Sequence, residues 1–175
     1  MNSFPPQDAP DELRNLPQSY PVRPGVRIAV DVGLARVGVA RSDSDGIMAL
    51  PVATFPRENG DFTGVLGLLE TFNVLEIYVG LPLNMDGSEG KNAKDARRWA
   101  MRLLRMIENK FFGFSPEIRM IDERLTTVTA HQQLLQAGRR RKHHRDVVDQ
   151  QAAVVILENA FSQERATGKI PGKTL

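Results

Sequence analysis

Three carboxylates in this chain stand where an ionised group is expensive. Asp31 closes the apolar alternation Ile28, Val30, Val32; Glu123 follows the run Glu117 to Asp122; Asp149 falls in the first turn of the apolar segment Val147 to Phe161. A carboxylate among Val, Ile and Ala costs several kcal/mol unless something compensates it. Singly, each has an ordinary explanation. Asp31 suits a strand end bonded to turn amides, Glu123 a salt bridge to Arg124, and Asp149 a helix start, where an acid gains about 0.3–1 kcal/mol from the dipole. Together they fall where apolar elements meet the same sheet edge, and clustered carboxylates repel. A hard divalent cation such as Mg2+ (or Mn2+) is the natural counter-charge, because it prefers oxygen ligands. Two such ions can stabilise the attacking and leaving oxygens of a phosphoryl displacement.

The elements that must position these acids are legible from period and punctuation. Residues 26–32 and 36–40 alternate in period two around a turn at Gly33, and Ile47 to Phe55 forms a third extended run after the Asp45-Gly46 turn signal. Short connections make these an antiparallel meander. Asp61 is placed to cap a helix bearing Phe62, Val65, Leu66, Leu69 and Phe72, although Gly64 and Gly67 weaken it by roughly 1 kcal/mol each. Glu76 to Leu81 is a nearly continuous apolar run, as for a strand covered on both faces. After the loop 82–87, with Ser88 as the expected cap, Ala96, Trp99, Ala100, Leu103 and Ile107 line one face of a long helix. Its other face carries Lys91, Lys94, Arg97, Arg98, Arg102 and Arg105. Glu117 to Asp122 is a fifth strand; Thr126 or Thr127 caps a helix ending near Gly138, and a last helix covers Val147 to Phe161. The order β-β-β-α-β-α-β-α-α predicts an α/β protein: a five-stranded mixed sheet, meander first and parallel strands after, with helices on both faces. Sites in such sheets lie off the carboxyl ends of parallel strands.

Composition narrows the class. The chain has 175 residues, 41% hydrophobic and 25% charged, which suits one globular domain. It has no cysteine, which excludes thiolate zinc sites, disulfides and a cysteine nucleophile. No apolar run approaches the roughly 20 residues that span a bilayer, and residues 1–10 lack the basic head and apolar core of a secretory signal. A cytoplasmic protein without membrane attachment is expected. Residues 1–25 hold six of the eleven prolines and read as a mobile tail, residues 26–165 as the domain, and residues 166–175 as a polar tail. Net charge is +2, yet Arg139, Arg140, Arg141, Lys142 and Arg145 crowd one short segment; without them 18 basic residues face 21 acidic ones. The positive character is local.

Four motifs carry a resemblance. Asp31-Val32-Gly33 followed by Val37-Gly38-Val39-Ala40, Val79-Gly80-Leu81-Pro82-Leu83-Asn84-Met85-Asp86-Gly87-Ser88, Asp122-Glu123-Arg124-Leu125-Thr126-Thr127 and Val148-Asp149-Gln150-Gln151-Ala152-Ala153 together resemble the YqgF/RuvX family over roughly residues 26 to 162. That family comprises pre-16S rRNA nucleases, also described as Holliday-junction-resolvase-like. The resemblance implies an RNase H-like fold and metal-dependent phosphodiester hydrolysis, with Asp31, Glu123 and Asp149 as both catalytic residues and metal ligands. It implies water attack at phosphorus leaving a 5′-phosphate and a 3′-hydroxyl, in maturation of the 16S rRNA 5′ end. One departure is Asp146, where family members commonly carry glycine. The pair Asp146 and Asp149 resembles the terminal aspartates of RuvC resolvases; Asp146 is equally a helix cap or a counter-charge to its neighbouring arginines.

The expected nucleic-acid contacts are Arg36, Asn84, Arg124, Thr126, Arg139, Arg140, Arg141 and Lys142. The loop from Asn84 to Ser88 offers amides and a helix start to a phosphate, as do Thr126 and Thr127, while ordinary capping explains the same residues. Arg36 and Arg124 can each clamp a phosphate bidentately or serve as surface ion pairs. The Arg139–Lys142 run precedes Asp149 and would draw a polyanion with strong salt dependence; as mere solvated surface it would not. His131, His143 and His144 suit phosphate or solvent better than metal, and Trp99 suits the core. The partner is thus nucleic acid, precursor rRNA or branched DNA. Two rivals from other classes are an ATP-binding protein of the actin and Hsp70 superfold, which opens with a similar Asp-x-Gly turn, and a non-catalytic ribosome-assembly factor. Against the first stand the chain's length and the lack of a second glycine-rich phosphate loop.

Overall fold

A computed structural model of the chain describes residues 19–58, 60–111, 113, 115–125 and 145–175. Six strands form one mixed sheet in the order β3-β2-β1-β4-β5-β6. β1 (Val26–Val32), β2 (Arg36–Ser42) and β3 (Ala49–Pro56) make the antiparallel meander. β4 (Val74–Leu81) lies parallel to β1, and β5 (Glu117–Asp122) parallel to β4. α1 (Asp61–Thr71) precedes β4, α2 (Lys91–Lys110) precedes β5, and α3 (Arg145–Thr167) follows a short 3-10 turn at Glu123–Leu125 and the undescribed segment.

Both sheet faces are covered, so the period-two pattern of β1 separates two cores rather than core from solvent. Ile28 and Val30 pack with Val37, Val39, Ile77 and Val79 under the α2 residues Trp99, Leu103 and Ile107. Ala29 and Ala40 face the other way, with Tyr78, Ile121 and the α3 residues Ala153, Leu157, Ala160 and Phe161. Small residues on that second face let α3 settle close to the strands. Alternation then puts Asp31 on the α3 side, directly across the ladder from Gly38.

Three expectations change. The polar end of the chain adds a sixth strand, β6 (Lys173–Thr174), antiparallel to β5 through Arg119–Thr174 and Met120–Lys173. Arg119 secures it, donating to the carbonyls of Pro171 at 2.7 Å and Gly172 at 2.9 Å; two residues carry too little periodicity to announce a strand. Secondly, residues 19–25 are bound to the domain. The Tyr20 amide donates to the Arg165 carbonyl at 2.8 Å, and Arg23 pairs with Glu164 at 2.7 Å and Glu76 at 2.9 Å. Arg27, Glu76, Glu164 and Tyr78 are buried there, at the end of the sheet remote from Asp31, with the Tyr78 hydroxyl donating to Glu76 at 2.6 Å. Thirdly, neither expected cap acts as one. α1 starts after Gly60, while Asp61 is buried and accepts the Trp99 indole N–H at 2.9 Å; α2 starts after Gly90, not Ser88. Trp99 is core, as its place on the apolar stripe requires. No helix of the described residues is long and apolar enough to cross a membrane.

Candidate active site

Two missing side chains bring the acids together. At Gly38, opposite Asp31, a Cβ would overlap the backbone carbonyl of Asp149 and lie 3.0 Å from the Gln150 amide. The α3 backbone at Asp149 therefore rests on bare strand, at the position paired across the ladder with Asp31. At Gly80 a Cβ would overlap Glu123 Oε1 and lie 2.6 Å from Ile156 Cδ1, so the β4 glycine makes the recess that Glu123 fills. Asp31 and Glu123 then line one cavity of about 220 Å³ with Val32, Gly33, Leu34, Gly80, Pro82, Asn92 and Asp95. It opens at the carboxyl ends of β1 and β4, where a parallel sheet puts its sites.

Burial and like charge both oppose ionisation of the pair. Burial pushes the Asp31 carboxyl up to about 6, and the charge of Asp149 adds to it. Burial likewise lifts Glu123 to about 7, with Asp31 and Asp122 contributing. Asp149 lies within electrostatic reach of Asp31 but is turned to Arg36, whose Nε donates to its Oδ2 at 2.8 Å. Among the described residues, no group of three or more Asp, Glu or His side chains is gathered closely enough to hold a metal ion. The expected trio is thus a converged pair, Asp31 and Glu123, with Asp149 alongside and ion-paired. The pair's chemistry fits a hard divalent cation: two half-buried oxygen donors of like charge facing one cavity. One or two protein carboxylates are what magnesium usually takes, its other positions going to water and substrate phosphate.

The surrounding polar residues are more committed than their types suggest. Arg124 does not pair with Glu123. Its Nη2 donates to Asp122 at 2.7 Å and its Nη1 to the carbonyl of Met85 at 3.2 Å, tying the loop after β4 to the end of β5. Hydrogen bonding to Arg124 holds the Asp122 carboxyl below its usual range, so Asp122 is the charged acid beside Glu123. The loop amides expected to greet a phosphate are partly spent. Asn84 N–H donates to the Ser88 carbonyl, Gly87 N–H to the Asn84 carbonyl and Ser88 N–H to Asp86 Oδ1, while the Asn84 side chain donates to Ser88 Oγ. Asn92 and Asp95 line the cavity without having been singled out from sequence. Asp95 is anchored by Arg57 at 2.8 Å, and Arg57 also donates to the Gly33 carbonyl; spacing along α2 was the available signal, since both fall on its first turns. Thr126, Arg139, Arg140, Arg141 and Lys142 lie outside the described residues, as do Thr127 and the three histidines.

Comparison with known proteins decides the family. The model of the RuvX family, described as Holliday junction resolvase, matches residues 25–163. This chain belongs to that family. A protein of Thermobifida fusca is 43% identical over 159 residues, covering 87% of this chain and 96% of its own, and one of Nocardioides sp. is 44% identical over 157 residues, covering 87% and 97%. Both bear the name "Putative pre-16S rRNA nuclease". Among solved structures, Thermus thermophilus RuvC in complex with a Holliday junction substrate aligns with TM-score 0.55 at 12% identity, covering 86% of this chain and 99% of that one. At that identity the likeness establishes the fold, which is RNase H-like as the family resemblance implied.

Proposed function

We propose that this RuvX protein is a nuclease that hydrolyses phosphodiester bonds in RNA, processing the 5′ end of the 16S rRNA precursor. The observation that carries the reading is the convergence of Asp31 and Glu123 on one cavity at the strand ends, each lifted towards neutrality by burial and like charge. Such a pair is poor as a structural device and apt as a cation seat. Asp31 and Glu123 would hold the ion, with Asp149 as the third carboxylate. When bound, a magnesium or manganese ion would supply Lewis acidity and a lowered pKa for an attacking water.

The chain's own residues do the rest. Gly33, Gly80 and Pro82 shape an opening that admits a sugar–phosphate backbone to the carboxylates. Arg36 sets the position of Asp149, and Arg124, donating to Asp122 and to the Asn84 and Met85 carbonyls, fixes the loop beside the cavity, where a phosphate would have to share its guanidinium. Attack by water at phosphorus breaks the bond to the 3′ oxygen, which leaves as a hydroxyl, and the phosphate stays on the 5′ side of the downstream product. The Arg139–Lys142 run, close before Asp149 in sequence, adds phosphate contacts in this reading.

Asp31→Asn tests it. With magnesium or manganese, the wild-type protein cleaves an RNA carrying the precursor 5′ extension, whereas Asp31→Asn loses cleavage at least about 100-fold and keeps its RNA affinity. Undiminished cleavage by a clean Asp31→Asn preparation would refute the assignment. The family's description favours one second reading, resolution of four-way DNA junctions, with the same carboxylates and a different polymer. Paired incisions in junction DNA, with no cleavage of the rRNA precursor, would select it.

A further inference from the structure

A row of cations on α2 begins at the carboxylate cavity and leads away from it. Lys91, Lys94, Arg98, Arg102 and Arg105 are all exposed and follow one another at three- or four-residue steps, so they share one helix face. Asn92, at the start of the row, lines the cavity of Asp31 and Glu123. Asp95, on the next turn, lines that cavity and also a second one of about 370 Å³ between α1 and α2, walled by Arg57, Arg98, Arg102 and Trp99. The two openings therefore share a wall.

The acids in this region are mostly engaged. Asp61 is buried against the Trp99 indole, and Asp95 is held by Arg57, with Arg98 at 3.5 Å. Glu58 and Glu108 are exposed, one at the rim and one beyond Arg105. Arg102 is placed in advance: its guanidinium lies 4.9 Å over the Phe62 ring, which stacks on Trp99 at 5.1 Å. A planar cation already fixed on an aromatic face loses less freedom when it meets a phosphate. Trp99 is buried and the Phe62 ring is taken by Arg102, so what this face offers is chiefly charge.

We infer that this α2 row is the track for the nucleic-acid arm that flanks the scissile bond, binding its phosphates without reading its bases. The inference rests on the nuclease reading and extends it from the cut to the strand beyond it. Lys91 to Arg105 spans about 21 Å at 1.5 Å per residue, which matches roughly six nucleotides at 3.4 Å each.

The experiment compares a minimal cleavable single-stranded RNA with versions extended by about six nucleotides on the 5′ or the 3′ side. An extension on at least one side should tighten binding and steepen its salt dependence. Each phosphate neutralised on a single strand adds about 0.7 to the slope. For Arg98, Arg102 and Arg105 together, the extension's advantage should shrink roughly 20-fold between 50 and 200 mM salt. The variant Arg98→Ala/Arg102→Ala/Arg105→Ala should lose that advantage while cleaving the minimal RNA at the wild-type rate. The corresponding triple lysine variant, which keeps the charge, should retain the salt slope. An extension without effect on wild-type binding, or an advantage that persists in the triple alanine variant, overturns the track. Failure of the wild-type protein to cleave any RNA would instead overturn the nuclease reading beneath it.

Discussion

Replacing Gly80 by alanine should impair the site far more than the fold. A Cβ there overlaps Glu123 Oε1 and comes within 2.6 Å of Ile156 Cδ1, against ordinary carbon contacts of about 3.5–4.0 Å. Both neighbours are ends of side chains, so the backbone need not move. Ile156 can yield by a small rotation, but the Glu123 carboxylate must retreat by about 1 Å, and a misplacement of that size costs on the order of 100-fold in rate. The stability balance is modest. Overpacking costs about 1–3 kcal/mol, and alanine regains about 0.5–1 kcal/mol of the freedom that glycine loses in a strand. The net loss of roughly 0–2.5 kcal/mol corresponds to a Tm fall of at most about 10 °C. Single-turnover cleavage and a thermal melt on the same preparation measure the two effects. Gly67→Ala, in α1 with nothing within 4 Å of its Cβ, is the control and should raise Tm slightly with unchanged cleavage. Wild-type activity in Gly80→Ala would show that Glu123 is not held where the reaction needs it, and the reasoning from the β4 recess would fail.

Gly38→Ala strikes backbone rather than side chain, since its Cβ overlaps the Asp149 carbonyl; it should cost about 3 kcal/mol or more, and a Tm within about 2 °C of wild type would contradict the packing of α3 on β2. Stability without metal should fall as pH rises. Asp31 and Glu123, lifted to about 6 and about 7, hold protons in the folded state that the unfolded chain has released. Their contribution is therefore complete below about pH 4 and lost as pH rises through about 6 and then about 7, being gone by about pH 8. Urea unfolding in chelator should show Asp31→Asn gaining on the order of 2–3 kcal/mol over wild type at pH 8, with the gap closing near pH 4; parallel curves at both pH values would refute the charge argument.

What the sequence determined by itself was the course of the main strands and the buried stripe of α2, which depend on period along the chain. Period two around Gly33 laid out β1 and β2, the run Glu76 to Leu81 announced a doubly covered strand, and the three- and four-residue steps from Ala96 to Ile107 fixed the buried side of α2. Those patterns also placed Asp31 and Glu123 at strand ends, which is why both could be named as candidates. Partnership was decided only by the tertiary structure, because it joins residues tens of positions apart. Arg36 spends a hydrogen bond on Asp149 across 113 positions, and Arg124 turns to Asp122 and the Met85 carbonyl instead of Glu123. The same holds for absence of bulk: Gly38 and Gly80 sit in sequence inside strand runs without distinction, and only the close approach of α3 and Glu123 shows them as the recesses that let the carboxylates meet. Period reports which face of an element is buried; what that face touches is set by packing, which no local pattern encodes.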